Sequence, residues 1–334
     1  MNKYALLFLV LLLGLSACLD EYAVPVSQQT EQLVVEALLT DEDVLASFRL
    51  SFTTQFGDAS SYNPVRGAFV GVTDNLGKIT KFRSSSTLPG VYVCEDVNFR
   101  GQAGKIYTLT IRLTDGRIFE SSPETMPAPV AISQLSARFE SKFNAGYQIT
   151  ADLNDPKNVE NYYRWTAWGL SKRKTTGVPL NFSGICCDEC WVREDALGVN
   201  LFADAGVDGN PLRGRPVFLS PFYYFGNHYV EVRQYNTSRQ AFQFWRRYQE
   251  QFQRTGTIFD PIPAPVVGNV ANKANTNELA LGFFEVASVS TKRLIVPGDT
   301  LFGKVKFEPL SVRQGDCLSA YPFSIYANVP PPGW

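Results

Sequence analysis

Histidine is almost missing from this chain: of 334 residues only His228 is one. Zinc centres with two or three imidazoles, HExxH helices and facial triads all need more, and a serine nucleophile would depend on that single residue as its base. His228 lies in Gly226-Asn227-His228-Tyr229 before an apolar run, and the expectation is a solvated turn histidine. GxSxG, Walker A and GxGxxG are absent as well, which removes the usual signatures of α/β-hydrolases, P-loop NTPases and dinucleotide binding. Basic charge is also lacking. Lys and Arg number 31 against 32 Asp and Glu, so nucleic acid has no electrostatic footprint to bind. Long hydrophobic runs occur once, at the start.

That start carries an address. Lys3 gives a minimal positive region, and Ala5 to Leu13 form an apolar stretch too short for the roughly 20 residues of a spanning helix. Leu15-Ser16-Ala17-Cys18 then reads as a lipobox. Cleavage of a 1–17 signal peptide would leave Cys18 as the first residue, carrying a diacylglyceryl group and palmitate. Residues 18–31 are then a lipidated tether. Asp20 and Glu21 resemble the acidic export signal that sends lipoproteins to the cell surface. The expected location is the outer membrane, lipid-anchored, on the cell surface, with a periplasm-facing anchor as the alternative.

Beyond the tether, turn chemistry breaks a succession of strands. Phe48, Leu50 and Phe52 alternate with Arg49, Ser51 and Thr53, and Tyr107, Leu109, Ile111 and Leu113 alternate with Thr108, Thr110 and Arg112. Asp74-Asn75-Leu76-Gly77 and Asp115-Gly116 supply hairpin turns. Several short strands at this spacing predict a mainly β protein, with an immunoglobulin-like or transthyretin-like β-sandwich over 32–128. Pro123, Pro127 and Pro129 mark its edge. A second β-rich domain is expected over 129–334, with strands at Tyr147–Ala151, Tyr162–Leu170 and Tyr229–Tyr235 and one amphipathic helix near 238–255. Thr237 or Ser238 caps that helix, Gly256 is placed to end it, and Phe242, Trp245, Tyr248 and Phe252 share a stripe that reads as core.

Cys186-Cys187-Asp188-Glu189-Cys190 is the densest cluster of reactive side chains. With Cys317 it offers four thiolates, but a chain exported to an oxidising compartment favours disulfides over a metal, and neither metal nor other cofactor is expected. Which of Cys186, Cys187, Cys190 and Cys317 pair is open at this stage, while Cys94, inside Val91-Tyr92-Val93-Cys94, is expected to be a buried thiol. Phe222-Tyr223-Tyr224-Phe225 is the candidate contact patch, with core packing as its rival. Asp152, Asn154 and Asp155 look faintly like a calcium loop, which Pro156 interrupts. Asp299-Thr300-Leu301 resembles an O-glycosylation acceptor at Thr300.

Taken in order, Leu33–Asp41, Gly104-Lys105-Ile106-Tyr107 leading to Asp115-Gly116 and Ser121, Asn161-Tyr162-Tyr163-Arg164-Trp165, Cys190-Trp191, the helix Ala241–Phe252, Gly256-Thr257-Ile258-Phe259-Asp260, Gly268-Asn269-Val270 and Leu281-Gly282-Phe283-Phe284 resemble the Bacteroidota lipoproteins grouped as domain of unknown function 4249. The resemblance implies a non-enzymatic accessory protein that partners a TonB-dependent receptor in uptake, its ligand unspecified. The alternative is an adhesion or envelope-assembly module with no transported ligand. Acylation itself is directly testable. Cys18→Ser is expected to lose the lipid mass on the N-terminal peptide and to leave the detergent phase on partitioning; unchanged partitioning with an unmodified wild-type peptide would remove the anchor.

Overall fold

A computed structural model describes residues 31–54, 62–141, 145–176, 188–252, 266–301, 313–327, 330–331 and 333–334. Its elements begin with β1 (Leu33–Thr40), β2 (Ser47–Phe52), β3 (Asn63–Pro64), β4 (Phe69–Asp74), β5 (Ile79–Ser84), β6 (Val91–Cys94), β7 (Ile106–Arg112), β8 (Ile118–Ser121) and β9 (Glu124–Thr125). There follow β10 (Ile132–Glu140), β11 (Gly146–Asn154), β12 (Tyr162–Lys174), β13 (Glu189–Asp195), β14 (Asn200–Ala203), β15 (Pro211–Pro221) and β16 (His228–Thr237). Helix α1 (Arg239–Phe252), β17 (Val267–Asn272), β18 (Leu279–Val296), a helical turn α2 (Cys317–Ala320) and β19 (Ile325–Tyr326) complete the order. The protein is mainly β.

The alternation read in the sequence is the alternation that buries. Leu33, Val35, Ala37 and Leu39 of β1 face one core together with Tyr107, Leu109 and Ile111 of β7, and Cys94 is a buried free thiol on its edge. Each such large side chain, fully enclosed, contributes about 1.5–3 kcal/mol of transfer free energy. The hairpin turns are as expected: Gly77 and Gly116 take φ of 80° and 90°, and Asp74 Oδ1 accepts from the amides of Leu76 and Lys78 at 3.0 Å each.

The arrangement of these strands departs from the expected sandwich. Pairing runs β1-β2-β6-β5-β4-β7-β8-β17-β18 and returns, because β18 also pairs with β1 in parallel, Val34 opposite Leu281 through Thr40 opposite Ala287. Nine strands therefore close a barrel and leave no edge. Alternation alone does not distinguish a sheet that faces another from one that faces itself. The closing strands are also more than 200 residues from β1 in the chain, so the boundary at 128/129 does not separate the two cores. Val270, Ala280, Phe284 and Val286 belong to the first.

Strand β18 then changes partner. From Ser288 to Val296 it pairs antiparallel with β16, and the sheet continues through β12 to β13 and β19. A separate sheet, β10-β11-β15, shares a buried core with it: Ile149, Leu153, Val217 and Phe218 on one side, Tyr163, Trp165, Val230 and Val232 on the other. The two-sheet packing expected of the first half is found in the second. Side chains fasten the joint: Asp41 Oδ1 accepts from the Val289 amide at 2.8 Å, Glu42 pairs with Arg233, and Gln234 Nε2 and Asn236 Nδ2 donate to the carbonyls of Val130 and Ala128 at 2.7 and 2.8 Å.

The barrel seam depends on two glycines. A Cβ on Gly268 would stand 1.7 Å from the Gly282 carbonyl oxygen, and one on Gly282, where φ is 85°, would stand 2.1 Å from that of Val35. The β17–β18 ladder is irregular there, and Asn269 replaces the missing rungs with its side chain, donating to Phe284 O at 3.0 Å and accepting from Phe284 N at 2.9 Å. Gly282→Ala is therefore expected to destabilise the protein by at least about 2 kcal/mol in urea denaturation, since both the backbone conformation and the close approach exclude a methyl. An unchanged midpoint would mean that the seam is looser than this.

Candidate functional site

A cleft with a mainly apolar lining lies on the outside of that seam. The barrel interior takes the alternate side chains of β1 and β18, so Val34, Glu36 and Leu38 and their partners Leu281, Phe283 and Glu285 face outward. Helix α1 lies against this face. Ser238 caps it, its Oγ accepting from the Ala241 amide at 3.1 Å, and Ala241 and Phe244 are buried, with the Phe244 ring 5.0 Å from that of Phe283. The buried row of the helix is thus Ala241 and Phe244, one step round from the expected stripe. Trp245 is half-buried and Tyr248 exposed, and both line the cleft. The expected extension of the helix to 255 lies outside the described residues. The cleft encloses about 710 Å³, inside the range of about 300–1,000 Å³ usual for small-molecule sites.

A buried ion pair forms one end. Arg164 Nη2 donates to Glu285 Oε2 at 2.9 Å, and the two side chains are 8% and 4% exposed. Trp245 Nε1 donates to the same oxygen at 2.9 Å and Thr237 Oγ1 to Oε1 at 3.0 Å, so both carboxylate oxygens are satisfied. The guanidinium lies between the rings of Tyr235 and Trp245, 4.1 and 4.7 Å from their centroids. Its Nε–H is buried and has no acceptor among the described residues. Losing either partner strands a charge and costs about 3–5 kcal/mol, whereas the net worth of the intact pair is small. Arg164 and Trp245 also line a second, smaller cleft of about 260 Å³ on their other side, with Gly198 and Val199. Beneath the N-cap, burial lifts the Glu124 carboxyl to about 7 against hydrogen bonds from Ser238 and Asn269, and the charge of Glu285 lifts it further.

Among the described residues, none of the site residues expected from the sequence lines the larger cleft. Cys18, Asp20, Glu21, Cys186 and Cys187 lie outside the described residues. Cys190 and Cys317 form a disulfide, Cα to Cα 5.8 Å across 127 positions, and tie the segment 317–327 to β13. Phe222 is buried among Phe139, Tyr147, Phe225 and His228, the Tyr223 ring lies beneath Arg173, and Tyr224 receives a bond from Lys174 Nζ at 3.4 Å. That run does not spread as one exposed face. Thr300 is exposed in a 3-10 turn, its Oγ1 donating to Pro297 O at 3.0 Å. Asp155, with Asp204 and Asp208, forms a cluster whose carboxylate oxygens lie within 4.8 Å of one another. These oxygens accept from Tyr163 Oη and the amides of Gly209, Asn161 and Asn158, and so fasten the 204–210 turn to the strand before it. Burial raises the Asp204 carboxyl, as do the charges of its two neighbours.

His228 corrects the expectation of a solvated turn. It begins β16, is wholly buried, and bonds through Nδ1 to Ser220 Oγ at 2.8 Å; Nε2 has no partner. Ser220 is 1% exposed, so the pair is closed to any substrate in this conformation. The turn residues before His228 hid the fact that the next residue enters a core strand.

Four of the segments on which the family resemblance rests reach the cleft: Leu33–Asp41, Asn161–Trp165 through Arg164, α1 and Leu281–Phe284 meet there, with Gly268–Val270 bracing the seam, whereas 104–107 and 190–191 lie elsewhere and 256–260 lies outside the described residues. Residues 19–293 match the family described as domain of unknown function (DUF4249), and the chain belongs to that family. A comparison with curated proteins finds no significant match.

Burial, with the charge of Arg173 second, draws the His228 pKa from 6.5 to about 4. Above about pH 6.5 the imidazole is neutral folded and unfolded; between about 6.5 and 4 the unfolded chain takes up a proton that the fold refuses. Stability carried by this group is therefore complete at neutral pH and falls as pH approaches 4, by about 3 kcal/mol in total. Urea denaturation at pH 7 and 4.5 should show a drop smaller by about 2–3 kcal/mol in His228→Gln than in the wild type. Equal drops would show that His228 is not the acid-sensitive group.

Proposed function

We propose that this protein is a lipid-anchored, non-enzymatic binding component of the outer-membrane surface that works beside a TonB-dependent receptor, with the α1 cleft as its binding site. The observation that carries the reading is that four of the family's segments meet on one apolar cleft. Its buried charges, Arg164 and Glu285, neutralise one another, which suits holding a ligand better than moving a proton or attacking a bond. The leader ending at Cys18 and the Asp20-Glu21 pair support the address, and the tether leaves the folded body free to reach a neighbouring barrel.

Gentle detergent extraction of outer membranes followed by affinity capture of a tagged chain and mass spectrometry tests this. Recovery of a TonB-dependent barrel in near-stoichiometric amount is expected. Recovery of a matrix or assembly complex without such a barrel would favour an adhesion or envelope-assembly module instead.

A further inference from the structure

The cleft changes character along the seam. Register places Val34 beside Leu281, then Glu36 beside Phe283, then Leu38 beside Glu285, where Arg164 stands. One end is apolar, with Val266 joining Val34 and Leu281, and the other carries the ion pair. Four strand residues separate the ends, about 13 Å at 3.3 Å per residue. Phe244, Trp245 and Tyr248 wall the length between them. Glu36, the charged residue in the middle, is exposed and has Arg49 at 3.7 Å.

At the polar end the donors outnumber the acceptors. Both Glu285 oxygens are occupied, while Arg164 donates one hydrogen bond among the described residues and keeps a buried Nε–H without an acceptor. A buried donor left unmet costs on the order of 1–3 kcal/mol, which an oxygen acceptor brought by a ligand would recover.

We propose that the cleft takes a single-chain amphiphile: an unbranched hydrocarbon chain along Val34, Leu281 and Phe283, with an oxygen-acceptor head at Arg164. This rests on the reading of the cleft as the binding site and adds the ligand's class and direction. Burial of the chain supplies the affinity, and Arg164 selects a head that accepts over one that only donates. A cationic head would set its charge against Arg164 and find both oxygens of Glu285 already engaged.

The test is titration of the full mature chain with dodecanoate, dodecanol and dodecylammonium, below micelle formation, followed by tryptophan fluorescence and calorimetry. Saturable one-to-one binding of dodecanoate is expected, with a change in emission that Trp245→Phe removes. Dodecanol should bind through the same acceptor chemistry and dodecylammonium at least tenfold more weakly. Leu281→Asp should weaken dodecanoate at least tenfold; Tyr248→Asp, at an exposed helical position that folding does not need, should do the same in a chain of unchanged melting temperature. No saturable binding, equal affinity for the ammonium, or indifference to both variants would overturn the amphiphile. Should it fall while a TonB-dependent barrel still co-purifies with the wild-type chain, the accessory-protein reading survives its loss.

Discussion

One strand holds this molecule together. β18 pairs with β17 at Leu279 and Leu281 and with β1 from Leu281 to Ala287, completing the barrel, and pairs with β16 from Ser288 onward, completing the second body. Its first half can occupy that place only because Gly268 lets the backbone of β17 approach β18, and Gly282 that of β18 approach β1, more closely than any side chain permits. Its second half carries the register of β16, and so sets where His228, Gln234 and Asn236 enter the other core. A parallel closure by a strand so distant in the chain is costly in loop entropy, and is repaid only when the whole ring forms.

The cleft is a by-product of that closure. A closed ring buries one face of β1 and β18 inside and presents the other outside, where α1 covers part of it. Glu285 is the outward residue at which β18 is about to leave β1, so its carboxylate falls among Arg164 of β12, Thr237 at the end of β16 and Trp245 of α1. Elements of both bodies thus meet on one carboxylate. Such a pair adds little net stability, but its geometry fixes the helix against the seam and orients the side chains that line the cleft.

The second body is held by different means. Its two sheets share a core rich in aromatic side chains, with His228 kept neutral inside it, and the Cys190–Cys317 disulfide fastens the chain beyond β18 to the outer edge. Closing a loop of this length restricts the unfolded chain by about 5 kcal/mol in the entropic account, an upper figure against the 2–4 kcal/mol typically measured.

Local patterns in the sequence were enough for most strands of the first half, for β11, β12 and β16, for the hairpin glycines and for the helix with its cap at Thr237 or Ser238, because alternation, positive φ and capping are decided within a few residues; β18, whose place depends on distant partners, was not among them. Cys94 was legible as buried for the same reason. Arg164 and Glu285 were not legible as a site: each sits in a run that reads as ordinary strand, 121 positions apart, and only the parting of β18 from β1 brings them together. The choice of barrel over sandwich, and the solvated or buried state of His228, depended likewise on which distant strand pairs with which. Periodicity gives each strand an inside and an outside; only tertiary structure decided what stands on either side.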